Sequence, residues 1–190
     1  MNSFQLTEAE QVYLLSVARA SIAEHAGASV PSLAKKPDSE TLDSRCGAFV
    51  TLWKQGELRG CIGYIIGFDP LTDTIHEAAR AAAFEDPRFP PVQADELSSV
   101  RIEISVLSEP APMTSYDEYQ LGVHGLIVRD GRHSGLLLPQ VATEHGMTRE
   151  EFFTALCRKA GLPGNEWQKR QLTLSAFTAF VFGEESYENS

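Results

Sequence analysis

The segment TEAEQVYLLSVARASIAEHAG places Val12, Leu15, Ala18, Ile22 and Ala26 at helical spacing. Thr7 and Glu10 are set as a capping box ahead of them and Gly27 as the stop, so the pattern predicts a first helix. The polar, proline-containing stretch VPSLAKKPDSETLDSRC has no period and reads as a surface loop. GAFVTLWK, with Ala48, Phe49, Val50 and Leu52, predicts a strand, QGE a turn, and ELRGCIGYIIG a returning strand, together an antiparallel hairpin. In FDPLTDTIHEAARAAAF, Leu71, Ile75, Ala78 and Ala82 share a helical face, with Asp69 as expected N-cap and Pro70 at the first helical position.

EDPRFPPVQADEL is too rich in proline for a regular element and predicts an ordered or functional loop. VRIEISVLS alternates Val100, Ile102, Ile104 and Val106 against Arg101, Glu103 and Ser105, the pattern of a half-buried strand. A connector, APMTSYDEYQLGVHG, leads to two strands in LIVRDGRHSGLLL joined near Asp130-Gly131. Thr148 and Glu151 repeat the capping box before Phe152, Phe153, Leu156 and Ala160, predicting a helix that stops at Gly161. QLTLSAFTAFVFGEE predicts one closing strand, with a tail expected to fray. Helices alternating with short hairpins favour a mixed α+β domain on antiparallel sheet.

Composition narrows the function classes. The 190 residues are 43% hydrophobic, enough for a real core without metal or disulfide staples. A net charge of -10 and the lack of a basic run argue against nucleic acid and against anionic lipid. No stretch approaches the roughly 18 apolar residues of a membrane-spanning helix, and the start does not read as a secretory signal. Three widely spaced cysteines form neither a disulfide framework nor a CxxC motif, which suggests free thiols in a reducing cytoplasm. The five histidines add no short ligand spacing, so no metal site or cofactor is expected.

Candidate chemistry centres on residues 57–67. Side chains alternate along a strand, so Gly60, Ile62, Tyr64 and Ile66 are expected on a core face and Arg59, Cys61 and Gly63 on the other. A nearby guanidinium favours a thiolate, and the glycines leave room for a substrate. Glu103 and Ser105 would share the polar face if their strand joins the same sheet. His124, between two glycines in GVHG, is the candidate base for a nucleophilic Cys61. Arg88 either ties its loop to Asp86 or binds substrate if that loop faces Cys61. Cys157 reads as a core residue, and the other four histidines as solvated or capping groups.

GAFVTL, LRGCIG, DPRFPP, SVLS, GVHG, LLPQVA and KAGL, in that order and over nearly the whole chain, make it resemble the AMMECR-one domain family, whose prokaryotic members are called AmmeMemoRadiSam system protein A. The resemblance implies one domain over residues 1–190 with two unequal subdomains, the larger built from both chain ends and the smaller inserted between them. It implies a cleft faced by the LRGCIG side chains, and maps Leu58 to Gly63, Asp86, Arg88, Ser105, His124 and Pro139 onto family-typical positions. It also implies association with Memo-like and radical-SAM proteins. Two functions follow as expectations. One is a thiol-dependent enzyme or enzyme subunit using Cys61 and His124, with Arg59, Gly60, Gly63, Arg88, Glu103 and Ser105 around a small anionic substrate. The other is a non-catalytic ligand- or partner-binding module in which Cys61 is structural.

Overall fold

A computed structural model describes residues 5–184. It divides into one unit that runs to Leu107 and resumes at Phe180, and a second of Ser108–Ala179. The expected frayed tail lies outside the described residues.

The first helix, α1, is Glu8–His25, and both halves of its capping box form, Thr7 with Glu10. Its buried face is centred on Leu14, Leu15, Ala18 and Ile22, whereas Val12 is exposed. The expected loop is mostly irregular but holds a short helix, α2, Glu40–Asp43, whose Leu42 is fully buried. The hairpin then forms as strands β1, Ala48–Lys54, and β2, Glu57–Tyr64. Its two-residue turn puts Gln55 at φ 55° and Gly56 at φ 80°, the mirror-image geometry that matches strand twist and that glycine adopts freely.

Helix α3, Leu71–Phe84, buries the expected face: Leu71, Ile75, Ala78 and Ala82. Its N-cap is Pro70, not Asp69. Pro70 is extended at ψ 146°, which leaves Asp69 one position outside, and the Leu71 amide donates to the Ser44 carbonyl instead. The proline-rich loop ends in a 3-10 helix, Ala94–Ser99, and feeds strand β3, Val100–Leu107. Val100, Ile102, Ile104 and Val106 are buried as the alternation predicts.

In the second unit the connector contains a short strand, β4, Ala111–Met113, before β5, Gly125–Asp130, and β6, His133–Leu137. Helices α4, Pro139–Glu144, α5, Arg149–Lys159, and α6, Glu166–Lys169, follow. The α5 capping box uses Thr148 and Glu151, and Phe152, Phe153, Leu156 and Cys157 are buried beneath it.

The expected single closing strand is two strands, β7, Leu174–Phe177, and β8, Ala179–Gly183, and they belong to different sheets. The break has a local cause: Thr178 leaves the ladder, its amide donating to Ser108 Oγ and its carbonyl accepting from the Ser108 amide, both at 2.9 Å. Among the described residues the sheets run β2-β1-β3-β8 and β4-β7-β5-β6. The molecule is α+β, with helices and two antiparallel sheets. One apolar cluster lies between α1, α3 and the first sheet, and another between α5 and the second.

Candidate functional site

Strand register assembles the site. Val50 and Leu52 point into the first core, so Phe49, Thr51 and Trp53 take the opposite face of β1. Thr51 pairs with Cys61 on one side and Glu103 on the other, and Phe49 pairs with Gly63 and Ser105. Cys61-Thr51-Glu103 and Gly63-Phe49-Ser105 are therefore two parallel rows across three strands. Glu103 and Ser105 do share a sheet face with Cys61, and Thr51, which the sequence reading passed over, stands between thiol and carboxylate. The same alternation that selected Val50 and Leu52 for the core carried that signal.

Between Leu52 and Trp53 the register shifts: Leu52 faces Gly60 and Trp53 faces Leu58. Arg59 is the extra residue of this bulge. Its guanidinium is captured by Glu96, with Nη2 2.6 Å from Oε1, and Lys54 Nζ holds Oε2 at 2.6 Å. Burial raises the Glu96 carboxyl, but the hydrogen bonds from Arg59 and Lys54 outweigh it and hold the group at about 2. Arg59 thus serves a salt-bridge triad where the sequence suggested a partner for the thiol. No local motif around Glu96 announces that contact.

The glycines serve packing. A Cβ on Gly60 would lie 2.2 Å from the Ala82 carbonyl oxygen, so the missing side chain lets α3 approach β2 closely. A Cβ on Gly63 would meet Phe49 at 2.4 Å, so the Phe49 ring covers that position from the next strand. The expected core face is apolar only in part: Ile62 packs on the core, whereas Tyr64 and Ile66 are exposed. Tyr64 closes an edge strand beside the charged Glu77, Glu85 and Arg80 side of α3, and Ile66 lies beyond the strand end.

The groups around Cys61 come from the proline-rich loop. Asp86, with a side chain only 2% exposed, accepts the Cys61 amide on Oδ2 at 2.9 Å and binds Arg88 through both oxygens, at 2.9 and 2.7 Å. The Arg88 hydrogen bond, strengthened by the two amides, holds this carboxyl far below the usual range against the cost of burial. Arg88 Nη2 also reaches the Cys61 carbonyl at 3.5 Å. Cys61 lies on an edge strand, so this clip of carboxylate and guanidinium takes the place of a missing neighbouring strand at its backbone. Arg88 is therefore tied to Asp86, as one expectation had it, and its loop lies at Cys61. Its side chain is 54% exposed.

Burial pushes the Cys61 thiol up from its ordinary value. The Thr51 hydroxyl, donating to Sγ at 3.4 Å, and the Arg88 charge work against the rise, whereas Asp86 and Glu103 add to it. The net shift is upward, toward the neutral thiol. His124 lies in the second unit, in a turn where its Nδ1 accepts from the Gln120 amide at 3.2 Å, so the neutral ring carries its proton on Nε2. Pro139 is the first residue of α4 and is buried. Among the described residues no cluster of histidine, cysteine and acidic side chains is arranged to hold a metal ion. None of the described helices is long and apolar enough to cross a membrane.

The AMMECR1 family model matches residues 15–182. A protein of Methanothermobacter thermautotrophicus is 44% identical over 180 residues, covering 90% of this chain and 93% of the relative. Protein MK0488 of Methanopyrus kandleri is 41% identical, covering 97% and 93%. The crystal structure of the uncharacterized protein PH0010 from Pyrococcus horikoshii superposes with a TM-score of 0.84 at 36% identity, covering 96% of this chain and 95% of that one. Family model, relatives and fold agree over nearly the full length, and the chain belongs to the AMMECR1 family.

Proposed function

We propose that the chain is a cytoplasmic ligand-binding protein, acting alone or as an enzyme subunit, whose Cys61 face takes a small anionic or polar ligand at Arg88 while the thiol stays neutral. The observation that carries this reading is the Asp86-Arg88 clip. A buried carboxylate locks the guanidinium against the strand at Cys61, yet more than half of the Arg88 side chain is exposed. A fixed fork of donors costs little further ordering when a carboxylate or phosphate oxygen arrives. Asp86 offsets much of the charge, so the recognition is directional hydrogen bonding more than long-range attraction.

The thiol-dependent enzyme is the second reading, and the Thr51 hydrogen bond to Sγ favours it, since the same hydroxyl would stabilise a thiolate. His124 is then the proposed base and Glu103 the nearest acid in register. One experiment separates the two: alkylation of Cys61 by iodoacetamide across pH, in a chain with Cys46 and Cys157 replaced by Ser. The binding reading expects an inflection above the free-thiol value of about 8.5. An inflection well below it, lost on His124→Ala, would establish the enzyme reading in its place.

Memo-like and radical-SAM proteins are the proposed partners, on the strength of the family resemblance, and retention of either on the immobilised chain from matched purified components tests them. The three free thiols support a reducing cytoplasm as the location.

A further inference from the structure

The first sheet leaves part of one edge open. β2 has a neighbouring strand, β1, on one side only. The Cys61 amide and carbonyl turn outward to Asp86 and Arg88, so the Thr51-Cys61 pair is one that the ladder does not bond. Bonded and non-bonded pairs alternate in an antiparallel ladder, and the register is unbroken from Cys61 to Tyr64. Gly63 therefore also turns its amide and carbonyl outward. The clip ends at Cys61, and neither backbone group of Gly63 has a hydrogen-bond partner among the described residues. An open edge of this kind is a template for another strand.

Beyond Gly63 the exposed side chains are apolar. Tyr64, Ile66 and Phe68 are all exposed, and Phe68, at 77%, is the most exposed large apolar residue described. Between them Ile65 is half-buried and Gly67 buried. Gly67 pins the segment, for a Cβ there would lie 2.3 Å from the Cys46 carbonyl oxygen. The close backbone approach thus holds the alternate side chains out in solvent. The flank is acidic. Asp69 and Asp73 follow Phe68, are exposed, and hold no ion pair among the described residues. Glu77 and Glu85 face Tyr64, and the one cation there, Arg80, is shared between them. A net charge of -10 and this flank make a second copy of the chain repel itself here, and they repel nucleic acid and anionic lipid as well.

We propose that the open end of β2 is a docking strip for a partner protein, which adds an extended segment at Gly63 with its apolar side chains on Tyr64, Ile66 and Phe68 and its lysines or arginines toward the acidic flank. Main-chain pairing supplies affinity in this mode, and the side chains on either side supply selectivity. The strip goes beyond the proposed function, since neither Arg88 nor the Cys61 thiol takes part in it.

The probe is a fluorescein-labelled peptide, Lys-Lys-Val-Thr-Val-Lys-Lys, titrated with the unaltered chain and followed by anisotropy. Its threonine is the residue that pairs with Gly63 when the valines face Tyr64. The expected result is a saturable rise. Binding should be at least about tenfold weaker for three altered peptides: Glu-Glu-Val-Thr-Val-Glu-Glu, Lys-Lys-Ser-Thr-Ser-Lys-Lys, and the first peptide N-methylated on its threonine. Phe68→Ser and Ile66→Ser lie at exposed positions, so they should leave Tm unchanged and weaken binding at least about fivefold. Val30→Ser, at an exposed apolar position elsewhere in the unit, should leave binding unchanged. A flat titration overturns the proposal, as does equal binding of any altered peptide or an equal loss with Val30→Ser. Sedimentation of the chain alone overturns it too, if it shows a dimer that Phe68→Ser dissolves, for the strip then belongs to a second copy. The altered peptides decide the matter on the unaltered chain even if a variant fails to fold. Cys61 alkylation reads a different place, so failure here and failure of the proposed function are distinguishable.

Discussion

Two carboxylates from the same loop region reach the same strand, and they produce opposite kinds of place. Glu96 gathers Lys54 and Arg59 into a triad in which Arg59 is only 13% exposed. Asp86 spends one oxygen on the Cys61 amide and both on Arg88, and leaves Arg88 largely in solvent. The first arrangement closes on itself and fastens the bulge. The second props a cation open beside a thiol. A guanidinium is available to a ligand when its counter-ion is held by the backbone on one side and the cation's outer edge stays wet. The largest test of that contrast is Asp86→Ala, which removes a buried acceptor from an amide and a guanidinium together. It should cost about 3 kcal/mol, or roughly 6–12 °C in Tm for a chain of this size, measured by thermal unfolding. A loss below about 1 kcal/mol would make the clip an ordinary surface pair.

Gly60 sharpens the comparison from the strand's other face. With 2.2 Å available to a Cβ at the Ala82 carbonyl, Gly60→Ala must push α3 away from β2. The expected cost is about 2–3 kcal/mol by denaturant unfolding, as for other overpacked positions. Because Asp86 follows α3 by only two residues, the same shift should also loosen the clip and speed Cys61 alkylation. Unchanged stability would show that the glycine serves something other than helix packing.

The triad makes a pH prediction of smaller size. The folded Glu96 carboxyl is held at about 2, below its unfolded value of about 4.3. A depressed carboxyl contributes stability that is fully present above the unfolded value and is lost as pH falls toward the folded one. Between about pH 4.3 and 2 the unaltered chain should therefore lose stability relative to Glu96→Gln. At neutral pH the substitution should cost about 1–2 kcal/mol, since the amide still accepts one hydrogen bond. Urea midpoints of the two chains at pH 7 and pH 3 supply both numbers, and a gap that does not narrow at pH 3 would remove the triad from the stability of the fold.

Elements with a strong period were legible in the sequence: α1, α3, β3 and α5 stand where spacing and capping boxes put them. What escaped had no local signature. Leu42 is one buried residue in a polar stretch, and the division of the last strand between two sheets depends on Ser108, distant in sequence, taking both backbone groups of Thr178. The candidate site was half legible for the same reason. Alternation put Cys61 on one face of its strand and Glu103 with Ser105 on one face of theirs, and left open whether the two strands share a sheet. It could not show that a bulge makes Arg59 the extra residue or that Glu96 captures it, since a register shift depends on the partner strand. Nor could it tell that Gly60 and Gly63 are occupied by a helix and a phenyl ring.

The smallest effect on stability should come from the residue most important to the proposed site. Arg88 is 54% exposed, and Asp86 keeps the Cys61 amide when the guanidinium is gone, so Arg88→Gln should cost no more than about 1 kcal/mol. Its effect on the thiol should be plain. Arg88 is a charge that draws the Cys61 thiol down, and Asp86, no longer neutralised by it, is one that pushes the thiol up. Removing the cation therefore acts twice in the same direction: the alkylation inflection moves to higher pH, and the rate at pH 8 falls several-fold in the chain lacking Cys46 and Cys157. Arg59→Gln, made beside it, should leave that inflection in place, because its charge is spent on Glu96. If Arg59→Gln moved the thiol as far as Arg88→Gln, the two clusters would be electrically one, and the closed triad would have to be counted as part of the site.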